Sequence, residues 1–240
     1  MAPRSWFRGR WCRGLAAAGY LGEADSRRSV VGVWRAPEQL RRAPEWRAPG
    51  SPLIDVQLFG EIGLAAARRE PTGRPAPIPH GPLLAPRGAD SALALAEVAT
   101  SVTGTLALRG PMVPVSMFLP GVERTSLPRF AAGADGFVDT GYACEGGRAP
   151  GTLVVSGAPA GLVSFGGYRF AIRELADVVS GLDPTGTLAA RPDVLAGQRL
   201  AGAAANHEAI RMALRGIGAN PLLVEAFGSR PRPGPERPPA

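Results

Sequence analysis

Glycine and proline divide this 240-residue sequence into short apolar segments, and this punctuation limits the length of any regular element. The chain contains 32 glycines and 25 prolines. Short apolar or β-branched runs bounded by such residues are typical of strands joined by turns. Segments with this pattern lie at 29–34, 53–59, 104–110, 135–141 and 151–157. The sequence therefore predicts a strand-rich fold as far as residue 157.

Two segments within this strand-rich part differ from the pattern. Pro37 begins a short predicted helix, because proline suits the first helical turn and Glu38 complements its positive end. Residues 71–88 contain six prolines in 18 positions, so we expect an irregular loop there.

Helical periodicity begins only beyond the strand-rich part. Four apolar residues have the spacing of one helical face: Leu175, Val178, Val179 and Leu182. A second helix is predicted to begin after Asn206, a natural N-cap, and to end near residues 216–218. Segments 185–192 and 198–205 are interpreted as strands, so this part is predicted to be a small α+β unit.

The predicted domain organisation follows from these changes of pattern. Residues 1–22 form a basic, poorly ordered start, and residues 23–157 form the strand-rich part. Residues 158–227 form the α+β unit. Residues 228–240 contain five prolines in 13 positions and are predicted to be a disordered tail.

Composition excludes several classes of mechanism and site. All 27 basic residues are arginines, which excludes Schiff-base chemistry and any phosphate-binding lysine. The two cysteines, Cys12 and Cys144, form no paired CxxC motif, so a disulfide framework and a structural zinc site are not expected, and two histidines cannot make a histidine-rich metal cage. No apolar stretch approaches the roughly 18–20 residues of a membrane-spanning helix, so we expect no membrane span and a cytoplasmic protein.

A net charge of +7 raises the alternative of a nucleic-acid-binding protein. No helix-turn-helix, zinc-finger or aromatic RNA-binding pattern accompanies the arginines. We therefore interpret them as a solvated surface and expect no specific nucleic-acid partner. The alternative predicts steeply salt-dependent binding to any duplex.

Four segments resemble successive core motifs of the adenylate-forming superfamily, which includes acyl-CoA synthetases, firefly luciferase and nonribosomal peptide adenylation domains. In chain order they are LFGEIG (58–63), GTLALRGPMV (104–113), DGFVDTGY (135–142) and GGYRFAIRELADVV (166–179). The resemblance implies an α+β or α/β fold. Residues 23–157 would be the distal, β-rich part of the large AMP-binding domain, and residues 158–227 the small C-terminal α+β domain.

The resemblance also implies a two-step ligase activity. ATP and a carboxylic acid give an acyl-adenylate and pyrophosphate, and a thiol such as coenzyme A then takes the acyl group. The implied cofactors are ATP or AMP with Mg²⁺, together with coenzyme A, and the implied partners are adenylate, acyl and thiol small molecules. Asp139 resembles the aspartate that accepts both ribose hydroxyls; alternatively, it caps the turn in the sequence DTG.

Two further groups of residues take implied roles. Phe59 and Gly60 are implied to contact the nucleotide, and Glu61 to hold the magnesium ion, although no hydroxyl residue precedes Glu61 as it usually does in the family. The alternative for Glu61 is a surface turn carboxylate. The candidates for the loop beside the thiol are Gly166, Gly167, Tyr168 and Arg169.

Several parts of the family pattern are missing. The phosphate-binding loop, the acid-binding half and the late catalytic lysine are absent, and Ala158, Ala160 and Gly161 lie where the hinge usually carries charged residues. We therefore expect no full ligase activity from this chain alone. It is interpreted as a truncated or split ligase whose protein partner supplies the N-terminal half. The alternative is a non-catalytic interaction protein that keeps the fold.

Overall fold

The architecture is mixed α and β and rich in strands, as predicted. The computed structural model describes residues 5–8, 29–47, 51–86, 92–114, 132–165, 168–193, 197–216, 219 and 224. Within these ranges it forms fourteen strands, two α-helices and one 3-10 helix, and the strands make three sheets.

The first sheet contains four strands in chain order: β1 (Ser5–Arg8), β2 (Val30–Trp34), β3 (Leu53–Leu58) and β4 (Leu64–Arg68). Strands β1, β2 and β3 are parallel, and β4 is antiparallel to β3. The 3-10 helix Pro37–Arg42 follows β2, with its proline in the first turn as predicted. β1 lies within the basic start, for which the sequence predicts little order.

A buried ion pair holds this sheet to the loops beside it. Asp55, on β3, accepts hydrogen bonds from Arg69 Nε at 2.8 Å and from Trp34 Nε1 at 2.7 Å. Arg69 Nη1 also donates to the backbone carbonyls of Pro44 and Gly73, at 2.6 and 3.1 Å. The side chains of Asp55 and Arg69 are 2% and 4% exposed. These partners allow charged groups to lie inside the fold.

The second sheet is antiparallel and contains six strands: β5 (Ile78–Pro79), β6 (Gly81–Pro86), β7 (Ala92–Thr100), β8 (Thr105–Arg109), β9 (Val138–Gly146) and β10 (Thr152–Gly157). Its spatial order is β5-β10-β9-β8-β7-β6. The main core forms where this sheet packs against the end of the first one. Buried members from both sheets include Phe59, Ile62, Ala65, Leu106, Leu108 and Val155.

The prediction of an irregular loop over residues 71–88 is wrong in its second half, which contains β5 and β6. Proline lacks a backbone N–H and is excluded from central strands, but it is tolerated on edge strands. Both β5 and β6 are edge strands of the second sheet, and Pro79 and Pro86 end them. The high proline content of this segment is therefore a feature of edge strands and does not exclude strands.

The third sheet is antiparallel, with the order β12-β11-β14-β13. Its strands are β11 (Leu162–Phe165), β12 (Tyr168–Ala171), β13 (Thr187–Asp193) and β14 (Gly197–Ala203). Two helices pack on it, α1 (Ile172–Leu182) and α2 (His207–Gly216). They share a core that is separate from the main one and includes Val163, Leu175, Val179, Leu200, Ile210 and Leu214.

The two predicted helices are confirmed. In α1, Leu175 and Val179 are buried, whereas Leu182, the last residue of the helix, is 52% exposed. The Asn206 side chain caps α2 by accepting a hydrogen bond from the Ala209 N–H at 3.0 Å. No helix in the described ranges is long and apolar enough to cross a membrane.

Candidate functional site

Three of the four segments that carry the resemblance meet around Arg169, near the start of β12. Its Nη1 donates a hydrogen bond of 2.7 Å to the backbone carbonyl of Thr140, on β9. Its aliphatic part packs against Gly60, in the turn after β3. Burial lowers the pKa of Arg169, whereas the nearby Glu61, Tyr142 and Asp139 raise it. The third sheet is thus joined to the first two at this point.

Gly60 is the residue that makes this close approach sterically acceptable. Its φ is +61°, in the left-handed region that favours glycine. A Cβ atom at this position would lie 2.7 Å from both Cγ and Cδ of Arg169. The Gly60 backbone is therefore covered by the arginine side chain in this arrangement.

Asp139 is an exposed carboxylate whose orientation is held by its neighbours. Its Oδ1 accepts hydrogen bonds from Thr105 Oγ1 at 2.6 Å and from the Gly141 N–H at 2.7 Å. Its Oδ2 accepts a longer contact of 3.5 Å from Thr103 Oγ1. Because a carboxylate has about four acceptor positions, Oδ2 retains capacity for a further donor from the solvent side. The contact with Gly141 is the turn cap that the sequence offered as an alternative role.

The hydroxyl groups around Asp139 are functional candidates that sequence reasoning missed. Ser101 Oγ lies 2.6 Å from Thr105 Oγ1 and 2.8 Å from Thr103 Oγ1. All three hydroxyl residues lie in or beside the turn from β7 to β8, and strand pairing brings this turn next to β9. The run of serine and threonine before the segment 104–113 was the signal that could have identified them.

Glu61 is half-buried and lies beside Arg169. Burial raises the pKa of Glu61 above its ordinary value of 4.5, whereas the guanidinium and a hydrogen bond from the Arg169 backbone N–H lower it. No three acidic, histidine or cysteine side chains lie close enough to hold a metal ion in the described ranges. A neighbouring guanidinium also repels a divalent cation. Glu61 is therefore not part of a ready-made metal site among the described residues, and a role towards nucleotide-bound magnesium stays a prediction.

Of the other predicted site residues, Phe59 lies in the core, and the glycine-tyrosine segment 166–168 is described only in part. Phe59 is fully buried, and its ring packs edge-on against Tyr142 with the centroids 5.6 Å apart. It is therefore part of the core, not of the surface that exposes Asp139. Gly166 and Gly167 lie outside the described residues, and for Tyr168 only the backbone in β12 is described.

The chain is similar to known proteins in structure but not in sequence. No protein-family model matches the chain, and no curated protein has a similar sequence. The amide bond synthetase McbA from Marinactinospora thermotolerans matches 94% of the chain at 18% identity, with a TM-score of 0.50. The artificially fused adenylation–PCP di-domain NpsA-ThdA from Klebsiella oxytoca matches 95% at 14% identity, with a TM-score of 0.51.

The chain spans about half of each of these solved structures, 47% of the first and 44% of the second. At such low identity the likeness concerns the fold. It agrees with the mixed, strand-rich α+β architecture of the chain. The chain therefore has the fold of part of an adenylate-forming enzyme.

Proposed function

We propose that this chain is the adenylate-binding part of an AMP-forming acid–thiol ligase, with Asp139 as the residue that holds the ribose. The observation that carries the proposal is the state of its carboxylate, which is exposed but fixed in direction by Thr105 and Gly141. A carboxylate held in this way binds a diol without first losing its own conformational freedom. Neighbouring ribose hydroxyls supply two donors of suitable spacing.

Arg169 and Gly60 are proposed to form the neighbouring edge of this site. The Arg169 guanidinium lies near Asp139 and hydrogen-bonds to the carbonyl of the next residue, Thr140. A guanidinium is a suitable bidentate partner for a phosphate group. In this role, movement of the third sheet would take the arginine towards or away from the adenylate phosphate. Residues 158–227 would then act as the small C-terminal domain.

Complete ligation is proposed to need a second half of the fold. The chain spans less than half of the two solved structures, and all of its basic residues are arginines. A preorganised donor such as a catalytic lysine is worth about 10²–10³ in rate. We infer that a complementary polypeptide segment supplies the acid pocket and the phosphate contacts. Coenzyme A is the proposed acceptor of the acyl group.

Calorimetric titration with AMP and with a non-hydrolysable acyl-adenylate analogue tests the nucleotide site. We expect micromolar binding of the analogue, weakened about tenfold or more by Asp139→Asn, because the amide loses the negative charge and one acceptor oxygen. Glu145→Gln is the matched control, since Glu145 is an exposed carboxylate on the same strand. Equal affinity for wild type and Asp139→Asn would contradict the proposal.

The second candidate is a non-catalytic interaction protein with the same fold. The contacts of Glu61 and the full burial of Phe59 favour it, because neither side chain is presented to a ligand in this arrangement. It predicts no heat with either nucleotide ligand from a sample whose folding is verified by circular dichroism. The same titration therefore separates the two functions.

A further inference from the structure

A cavity of about 400 Å³ lies away from the residues of the proposed nucleotide site. Its walls come from the 3-10 helix, β3, the segment 74–78 and β10. Neither Asp139 nor Gly60, Glu61 or Arg169 lines it. Its volume is at the small end of the range for small-molecule pockets, about 300–1,000 Å³.

The walls of this cavity are mainly apolar. They include Leu40, Ile78, Leu153 and Val155, and several prolines and alanines complete them. Apolar side chains of this kind favour a ligand with an apolar ring or chain, because its burial removes nonpolar surface from water. One glutamine and five charged side chains complete the lining.

Gln57 is the polar group in the interior of the cavity. It is 4% exposed and lies on the same face of β3 as Leu53 and Asp55. Asp55 has partners in Trp34 and Arg69. By contrast, the Gln57 carboxamide has no hydrogen-bond partner in the part of the chain that the structure describes. The carboxamide atoms are not among the buried unpartnered polar atoms of the described residues, so they keep access to the space of the cavity and can pair with a ligand there.

The charges at the cavity wall nearly balance. Three arginines and two glutamates line it, and Arg74 Nε donates to Glu45 at 3.2 Å. Such a rim does not select strongly for an anion or a cation. Since the interior carries only a neutral carboxamide, the ligand that fits best is itself uncharged.

We propose that this cavity is a binding site for a small uncharged molecule in which an apolar ring carries an amide. The Gln57 carboxamide has one carbonyl acceptor and two N–H donors. An amide that offers its own N–H and carbonyl side by side satisfies both kinds of group at once. The apolar ring of the ligand then fills the space between the 3-10 helix and β10.

Titration of the full chain with benzamide and with acetophenone, followed by protein NMR, tests this site. The two probes have nearly the same shape, but acetophenone lacks the N–H donors. We expect benzamide to shift the resonances of residues that line the cavity and to bind more tightly than acetophenone. Gln57→Leu should weaken benzamide binding about tenfold, because the side chain that pairs with the amide of the probe is removed. Gln198→Leu, in the third sheet, is the control and should leave the benzamide affinity unchanged.

Gln57→Met serves as a second variant if the leucine variant does not fold, and the same loss of affinity is expected. The proposal is overturned if benzamide does not bind up to its solubility limit, or if it binds wild type and the folded Gln57 variants equally. Displacement of benzamide by adenosine would also overturn it, because the cavity would then belong to the nucleotide site. Asp139→Asn should leave benzamide binding unchanged, so this test is independent of the proposed ligase function.

Discussion

Three hydroxyl side chains and one carboxylate form a continuous hydrogen-bonded cluster on the surface of the second sheet. Thr105 Oγ1 is its centre, with Ser101 Oγ and Asp139 Oδ1 each at 2.6 Å and Thr103 Oγ1 at 3.1 Å. A carboxylate fixed by such short contacts samples fewer orientations than one that projects freely into solvent. At the scale of single residues, the hydroxyl neighbours therefore help to fix the orientation of the carboxylate.

Removal of the Thr105 hydroxyl should weaken nucleotide binding without unfolding the protein. We expect Thr105→Val to reduce adenylate affinity about fivefold, because one hydrogen bond contributes about 1 kcal/mol. Thr103→Val is the matched comparison and should have a smaller effect, since its contact with Asp139 is 3.5 Å. Calorimetry on both variants measures the difference, and Thr105→Ser should restore the affinity. An unchanged affinity in Thr105→Val would show that the threonine does not orient Asp139.

Glu38 is a second residue whose environment has a measurable consequence. Its Oε2 is buried without a hydrogen-bond partner among the described residues, and burial raises the pKa of Glu38 above its ordinary value of 4.5. The folded state therefore binds the proton more tightly than the unfolded state. It follows that stability falls as the pH rises from 4.5 through the raised pKa.

The substitution Glu38→Gln should remove this pH-dependent loss of stability. At pH 7 we expect the variant to be about 1 kcal/mol more stable, since no buried charge is left unsatisfied. Below pH 4.5 the difference should disappear, because the wild-type carboxyl is then neutral too. Urea unfolding of both proteins at several pH values measures the difference. A constant difference across the pH range would contradict this explanation.

At the scale of elements, a single ion pair connects β3 to the two loops beside it. Arg69 follows β4 directly, and its guanidinium contacts Asp55 on β3, Pro44 after the 3-10 helix and Gly73 in the following turn. The Gly73 carbonyl also accepts the Trp46 N–H at 2.8 Å. Apolar packing alone does not hold such loops in one position, whereas a buried guanidinium does because each of its donors needs a partner.

Removal of the arginine alone should destabilise the fold strongly. We expect Arg69→Met to cost about 3–5 kcal/mol, because Asp55 would remain as a buried charge with only Trp34 as a partner. The double variant Arg69→Met with Asp55→Leu should recover part of this loss, since neither charge then remains. Urea unfolding gives both values. A cost below about 1 kcal/mol for the single variant would mean that water reaches Asp55.

At the scale of the whole molecule, Arg169 links two parts of the chain that have separate hydrophobic cores. The main core belongs to the first two sheets, and the second core belongs to the third sheet and its helices. The first two sheets end at Gly157 and the third begins at Leu162. The contacts of Arg169 with Thr140, Gly60 and Glu61 cross this boundary.

The pKa of Glu61 reports whether this contact exists in solution. The guanidinium of Arg169 lowers the pKa of Glu61 against the effect of burial. We therefore expect Arg169→Met to raise the pKa of Glu61 further, as measured by carbon-13 NMR of the carboxyl groups. Arg173→Met, on the exposed side of α1, is the control and should leave the pKa of Glu61 unchanged. No change in Arg169→Met would place the third sheet away from Glu61.

The local pattern of the sequence was sufficient for most elements. Strands β2, β3 and β8 and both helices were predicted because each follows from neighbours along the chain: apolar runs, helical spacing and the Asn206 cap. Asp139, Glu61 and Arg169 were proposed as site residues because they lie in short segments that resemble family motifs, and their roles stay predictions. These features depend on a few consecutive residues, so they can be predicted without tertiary structure.

Only the tertiary structure decided how these residues are placed. The edge positions of β5 and β6 made strands of a proline-rich segment, because an edge strand needs fewer backbone donors. Strand pairing brought Thr105 beside Asp139, and packing buried Phe59 while it placed Arg169 against Glu61. Each of these contacts joins residues more than 30 positions apart or depends on burial. The local sequence pattern predicts neither burial nor contacts between such distant residues, since both arise only when distant segments pack together.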